Sequence, residues 1–242
     1  MIEIIKKRVF DYLSQKKPEH RPLRVVIKLG SPIALTHPWM HFDSLIKLLV
    51  YKKALGEDFF SLPAKLPLDD LVPNNEMPAF PILIDRLGLY HASVSLFDTD
   101  KKALEVIYKR FEDRWAPSER AKIYRGSGQF KDYMIQHIYI PAKETTFYVF
   151  GDPGWITELL FDAFSLGDNR RLGWGEIRSV KTEFKEVDMS IVWRGIAMRP
   201  IPVRLLKSCS EAVRLAWRPP YWDKKNVELC APPGAKIKFK DD

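Results

Sequence analysis

Apolar positions at the start of the chain recur at helical spacing. In IEIIKKRVFDYLS, residues 2–14, Ile2, Ile5, Val9, Tyr12 and Leu13 fall near one face before the polar, proline-bearing QKKPEHRP ends the pattern. A separate N-terminal helix within residues 1–15 is predicted. The period then shortens: LRVVIKL, residues 23–29, alternates with β-branched residues like a strand. HFDSLIKLLVYKKAL, residues 41–55, returns to helical spacing, with Phe42, Leu45, Ile46, Leu49 and Val50 on one face. Between 56 and 88 the prolines Pro63, Pro67, Pro73, Pro78 and Pro81 prevent regular structure, yet leucines and phenylalanines recur, which predicts an irregular insertion packed on the surface. LYHASVSLF, residues 89–97, alternates as a strand. Residues 101–115 fit either a helix or the arm of an inserted hairpin, and a strand-like run follows near 133–140. TTFYVF at 145–150 reads as a strand, Gly151-Asp152-Pro153 as a turn, 155–164 as a helix and 176–184 as a closing strand.

The sum of these elements is βαββαβ with long insertions, so the expected fold is α+β, an elaborated ferredoxin-like (RRM-like) domain. The chain, 242 residues with 46% hydrophobic, can bury a full core as one domain. The predicted layout is a helix at 1–15, a core over 22–186 with insertions at 56–88 and 98–143, and a basic, proline-rich tail at 198–242 that wraps the surface.

Charge changes the picture next. Lys and Arg outnumber Asp and Glu by 39 to 31, a net charge of +8, which favours a polyanionic partner. Cys209 and Cys230 lack metal-ligand spacing, so neither a zinc site nor a disulfide framework is expected, and a reducing cytoplasm suits the chain. No apolar run is long enough to span a bilayer and no signal-peptide pattern opens the sequence, so no membrane association is expected. Asp69-Asp70 and Asp241-Asp242 are adjacent pairs that diverge on a strand or helix, so no metal or other cofactor is expected.

The most distinctive stretch is residues 166–179, LGDNRRLGWGEIRS. Gly167, Gly173 and Gly175 lie between an apolar helix and a strand, with Arg170 and Arg171 among them. Glycines let backbone N–H groups surround a phosphate, and arginines add bidentate bonds to its oxygens. It is not a Walker A loop, because no GK[ST] follows, and not a dinucleotide fingerprint, because the glycines precede a strand. A helix C-cap glycine followed by a kinked turn fits the pattern equally well. Trp174 could stack a base or only pack.

Cations beside aromatics give RNA both phosphate attraction and base stacking. KIYRGSGQFKDY supplies Lys122, Tyr124, Arg125, Lys131 and Tyr133, with Gly126 and Gly128 at an expected hairpin tip; MRPIPVR supplies Arg199 and Arg204. Each could instead be a solvated turn. Metal-independent RNA cleavage would need a base such as histidine. Of His20, His37, His41, His91 and His137, His91 is the best candidate, since its strand could direct it to RNA near the glycine loop; a structural histidine is the alternative.

The run FYVFGDPGWITELLFDAFSLGDNRRLGWGEIRSV resembles the end of the RAMP-type domain of CRISPR-associated proteins. With SPIALTHPWMHFDSLI, YHASVSLF, RGSGQFKDY, MRPIPVR and RPPYW in order, the chain is similar to the RAMP subunit of type IV CRISPR effectors in the Cas-five-type position. Two features depart from the family pattern: Trp174 within the glycine run, and Asp43-Ser44 where Asp-Gly is usual. The resemblance implies a non-catalytic subunit that binds the 5′ handle of the guide RNA, contacts the backbone RAMP subunits and other effector subunits, and meets target DNA through the complex. The resemblance also leaves a metal-independent endoribonuclease as the rival, since some Cas-five-type relatives process RNA.

Overall fold

The computed structural model describes residues 2–62, 77–110, 112 and 125–240, so the Asp69-Asp70 and Asp241-Asp242 pairs lie outside the described residues. In chain order the elements are α1 (Ile2–Ser14), β1 (Arg21–Leu29), β2 (Ile33–Ala34), α2 (Phe42–Leu55), β3 (Leu96–Phe97), β4 (Ala103–Lys109), β5 (Tyr133–Ile140), β6 (Glu144–Gly151), α3 (Pro153–Phe161) and β7 (Ile177–Phe184). The short strands β8 (Val192–Trp193), β9 (Ile196–Ala197), β10 (Ile201–Pro202), β11 (Leu206–Cys209), β12 (Val213–Ala216), β13 (Val227–Ala231) and β14 (Ile237–Phe239) complete the chain.

The central sheet has the order β3-β6-β1-β7, every neighbouring pair antiparallel. With α2 between β1 and β3, and α3 between β6 and β7, this is the split βαβ arrangement of a ferredoxin-like fold, as the sequence pattern predicts. Alternation along β1 turns Leu23, Val25, Ile27 and Leu29 inward, where they join Phe147 and Val149 of β6, Phe42, Ile46 and Val50 of α2, and Trp155, Ile156 and Leu159 of α3. The helix α1 closes this core with Ile5, Val9 and Leu13, three of the five positions its spacing singles out. Asp152 caps α3, its carboxylate accepting from the Trp155 N–H at 2.8 Å, and Pro153 opens the helix where no N–H is needed.

The described part of 101–115 takes the hairpin form: β4 pairs with β5 along its whole length, and β5 continues onto β2. The 89–97 strand is shorter than its alternation suggests. The Ser93 hydroxyl accepts from the Tyr148 N–H, and the Ser95 hydroxyl accepts from the Met40 N–H, each at 2.9 Å, so side chains replace part of the ladder and only Leu96–Phe97 is regular strand.

The tail departs from expectation. Instead of wrapping the surface it forms a three-stranded sheet, β10-β13-β12, and a two-stranded one, β11-β14. Ala197, Ile201, Leu206, Ala231, Ala235 and Ile237 form its own buried cluster, with Leu89, Trp217 and Cys230 in a second. The prolines fall at short-strand edges and turns, a pattern that proline density alone hides. Among the described residues no helix is long and apolar enough to cross a membrane.

Candidate nucleic-acid interface

The glycine loop leaves the core at Leu166 and returns at Gly175, and it is clamped to the segment that follows β1. The Leu166 N–H donates to the Gly175 carbonyl, the Asp168 N–H to the Ala34 carbonyl, and the Gly175 N–H to the Pro32 carbonyl, each at 2.8 Å. The Thr36 N–H and hydroxyl donate to the Asp168 carboxylate at 2.7 and 2.6 Å. Ser31 donates to the Gly173 carbonyl at 2.7 Å and accepts from the Glu176 N–H at 3.0 Å.

These contacts sort the glycines. A Cβ at Gly167 would lie 2.5 Å from the Ala34 oxygen, and one at Gly175 2.0 Å from the Leu166 oxygen, with φ of +79° and +67°. Both positions serve a close approach of this chain's own backbone, the turn alternative rather than the phosphate one. Gly173 has φ +86° and open space around it. Between the anchors Asn169 adopts a left-handed φ of 53°, and Arg170–Leu172 forms a 3-10 turn. Arg170 and Arg171 are exposed there and make no ion pair with a described residue. The anchors thus hold two guanidiniums outward at a fixed place.

Trp174 is half-buried and packs against Tyr139, ring centroids 4.9 Å apart and tilted by 36°. Beside it the Asn169 amide and His137 Nδ1 are 3.0 Å apart. Tyr139 and His137 stand on β5, and alternation puts Tyr133 on the same face. Across the ladder Lys109 pairs with Tyr133, its ammonium 5.7 Å from the ring centroid. An aromatic and cationic face therefore runs from the glycine loop along the β4–β5 arm. Tyr139 is the residue that sequence reading passes over here, and His137, weighed there only as a cleavage base, joins it, although the even spacing of Tyr133, His137 and Tyr139 along β5 carries the signal. Lys131 is exposed at the start of β5 and Arg125 is half-buried, while Lys122 and Tyr124 lie outside the described residues.

Three sequence candidates, Arg199, Arg204 and His91, are elsewhere. Arg199 is 1% exposed. Its guanidinium donates to the Ala92 carbonyl at 3.1 Å, the Trp217 carbonyl at 2.9 Å, the Asp43 carboxylate at 3.1 Å, the Tyr221 oxygen at 2.9 Å, and also to the Tyr90 carbonyl. Tyr221 in turn donates to Asp43 at 2.6 Å. Arg199 is thus the polar bolt between the C-terminal strands and the central fold, not a surface contact; its setting between Ala197, Met198 and Ile201, all apolar, is the clue in the sequence. Burial and the neighbouring Asp43 carboxylate push the Tyr221 phenol well above its ordinary range, so it stays a donor. Arg204 is exposed, paired with Glu228 at 2.9 Å.

His91 faces Asp188, Nδ1 to Oδ2 2.9 Å, with Asp85 3.9 Å from Nε2. Burial works to raise the Asp188 pKa, but hydrogen bonds from His91 and Ser190 outweigh it and hold it low. His91 pairs with Phe150, which lies opposite Pro22, whereas the loop meets the chain just past Leu29. The run of β1 from Pro22 to Leu29, about 23 Å at ~3.3 Å per residue, separates them, so the strand does not bring His91 to the loop.

A different histidine is perturbed. His41 stacks on Tyr221, centroids 3.5 Å apart and planes within 9°, and its Nε2 accepts from Trp39 Nε1 at 3.3 Å. Burial, with opposing help from Asp43 and further lowering by Arg199 and His37, takes its pKa down to about 4. An unfolded histidine titrates near ~6.5. Between these values the unfolded chain binds the extra proton, so the stability His41 contributes is full above ~6.5 and drains away as pH falls toward about 4. His41→Phe, which keeps a flat ring on Tyr221 and cannot titrate, should lose about 2 kcal/mol less than the parent between pH 6.5 and 5, read as the difference in their melting shifts. Identical shifts would show that His41 titrates normally.

Comparison with known proteins adds to this geometry. The family described as CRISPR type IV associated protein Csf3 matches residues 91–233, which span β3 to β13 and include the glycine loop, Arg199 and Tyr221. No curated protein matches the chain. Among solved structures, a chain of "Cryo-EM structure of the Type III-B Cmr-beta bound to cognate target RNA" is similar with a TM-score of 0.39 and 13% identity over 75% of this chain. The present chain spans 63% of that one.

Proposed function

The chain belongs to the type IV CRISPR-associated Csf3 family, and on that premise we propose that it is a non-catalytic RNA-binding subunit of a type IV CRISPR effector ribonucleoprotein, holding the 5′ handle of the guide RNA in defence against foreign nucleic acid. The observation that carries the reading is the loop apex: Arg170 and Arg171 are exposed, without an ion pair among the described residues, on a turn whose two ends are fixed by Gly167 and Gly175. A held turn presents its charges in one geometry, which lowers the ordering cost of gripping phosphates. The arm from Tyr139 and His137 to Lys109 and Tyr133 offers a backbone-and-base track beside it. Backbone RAMP subunits and other effector subunits are the expected partners, with target DNA reached through guide pairing.

The place of His91 counts against the ribonuclease that this histidine motivates in the sequence. Its ring is engaged by Asp188 about a strand's length from the loop, so a strand gripped at Arg170 has no histidine base from this position. Arg170→Ala with Arg171→Ala should weaken binding of a single-stranded handle RNA by roughly ten-fold or more at low salt and reduce the slope of log K against log salt by about 1.4, near 0.7 for each phosphate no longer neutralised. Affinity and slope at parental values would make the loop structural and remove the basis for this function. Cleavage of repeat RNA by the purified chain in EDTA would establish the enzyme instead.

A further inference from the structure

We infer that the ridge of rings made by Trp39, His41 and Tyr221, with the groove on each side of it, is a binding site for an unpaired RNA base, the strand crossing it between Arg170 and Arg214. The inference rests on the RNA-binding reading above and adds a site beyond the glycine loop. One groove, of ≈ 340 Å³, is floored by Leu35, Leu45 and Leu48 and edged by Arg170. The other, of ≈ 230 Å³, is bounded by Pro200, Leu215 and Arg214. Trp39, His41 and Tyr221 line both.

What holds these rings at a surface is a chain of contacts from the interior. Arg199 and Tyr221 both bond Asp43, His41 lies flat on Tyr221, and the Trp39 indole N–H is fixed by His41. Rings already immobilised lose little freedom when a base stacks on them, and such stacking tolerates any base. The charges agree. Arg170 and Arg214 are exposed on opposite sides, without an ion pair among the described residues. The carboxylate in the first groove, Asp168, is occupied by the two Thr36 donors. An acidic peptide would use the arginines but would gain little from flat, fixed rings, so RNA is the better fit.

The test uses the full chain and a fluorescein-labelled single-stranded RNA of ~10 nucleotides. Trp39→Ala should bind about ten-fold more weakly with the salt slope unchanged, because the substitution removes base stacking and leaves the phosphates held as before, and Trp39→Phe should recover most of the affinity. An abasic strand of the same length should bind the parent about ten-fold more weakly and Trp39→Ala no more weakly than the intact RNA does. Arg214→Ala should reduce the salt slope by about 0.7. If Trp39→Ala does not melt cooperatively, the abasic strand and Arg214→Ala decide on their own. Parental affinity for the abasic strand, or for Trp39→Ala, while the Arg170 and Arg171 double variant is weakened, overturns the ridge site and leaves the loop reading standing. An acidic peptide of equal charge that displaces the RNA, together with indifference to base removal, assigns the grooves to protein. Binding by the parent no tighter than by an unrelated basic protein defeats the reading on which the site rests.

Discussion

Asp43→Ala is expected to lower stability by about 3–5 kcal/mol, because it leaves the Arg199 guanidinium charged, buried and without its counter-ion. In a chain of this size that is a fall in melting temperature of roughly 10 °C. The environment gives the charge no other exit. Arg199 is 1% exposed and its remaining partners are the carbonyls of Tyr90, Ala92 and Trp217 and the Tyr221 hydroxyl, which can accept bonds but cannot neutralise it. Loss of Asp43 also strips Tyr221 of its acceptor. Arg199→Lys should be nearly as damaging, since an ammonium carries three donors on a point and cannot span groups that the planar fork reaches. Removing both charges, Asp43→Leu with Arg199→Met, should cost less than the sum of Asp43→Leu alone and Arg199→Met alone, the coupling lying at about 0.5–3 kcal/mol. Denaturant melts of these two single variants and the double measure this; additive losses would show that the pair does not act as a unit.

This bolt also marks the boundary of what the sequence discloses. The central fold is legible because its signals are local: β1 alternates, α2 and α3 repeat at helical spacing, and Asp152-Pro153 announces a helix start, so the ferredoxin-like order follows from elements that each declare themselves. The C-terminal strands are two to five residues long, too short for a period to register. Arg199 reads as a surface cation because its burial depends on Asp43, 156 residues away. The same holds for the site. Arg170 and Arg171 are visible as a pair in a glycine run, but Trp39 and Arg214 become neighbours of one ridge only through the docking of the C-terminal strands onto α2's first turn. His91 shows the converse error: its strand alternates as expected, yet alternation says which face a residue takes and not which end of the sheet it occupies.

The loop's own glycines supply the sharpest contrast. Gly175→Ala and Gly173→Ala both place a side chain at positive φ, +67° and +86°, so both meet the left-handed penalty of about 1–2 kcal/mol. Only Gly175 adds a collision, a Cβ 2.0 Å from the Leu166 oxygen. That oxygen belongs to the residue whose N–H bonds the Gly175 carbonyl, and the Gly175 N–H bonds Pro32, so relief requires opening the clamp between loop and core. Two backbone bonds and the seating of buried Leu166 are then at stake. The expected loss is about 3–4 kcal/mol, against about 1–2 for Gly173→Ala. The consequences for RNA should divide in the same way. Gly173→Ala leaves both ends anchored and should keep RNA affinity within about two-fold of the parent, whereas Gly175→Ala frees Arg170 and Arg171 from their fixed presentation and should approach the affinity of the double arginine variant. Equal melting temperatures with equal RNA affinity for the two alanine variants would remove the clamp. Equal melting temperatures with Gly173→Ala the weaker RNA binder would remove the clamp and place Gly173, in its open space, against the ligand.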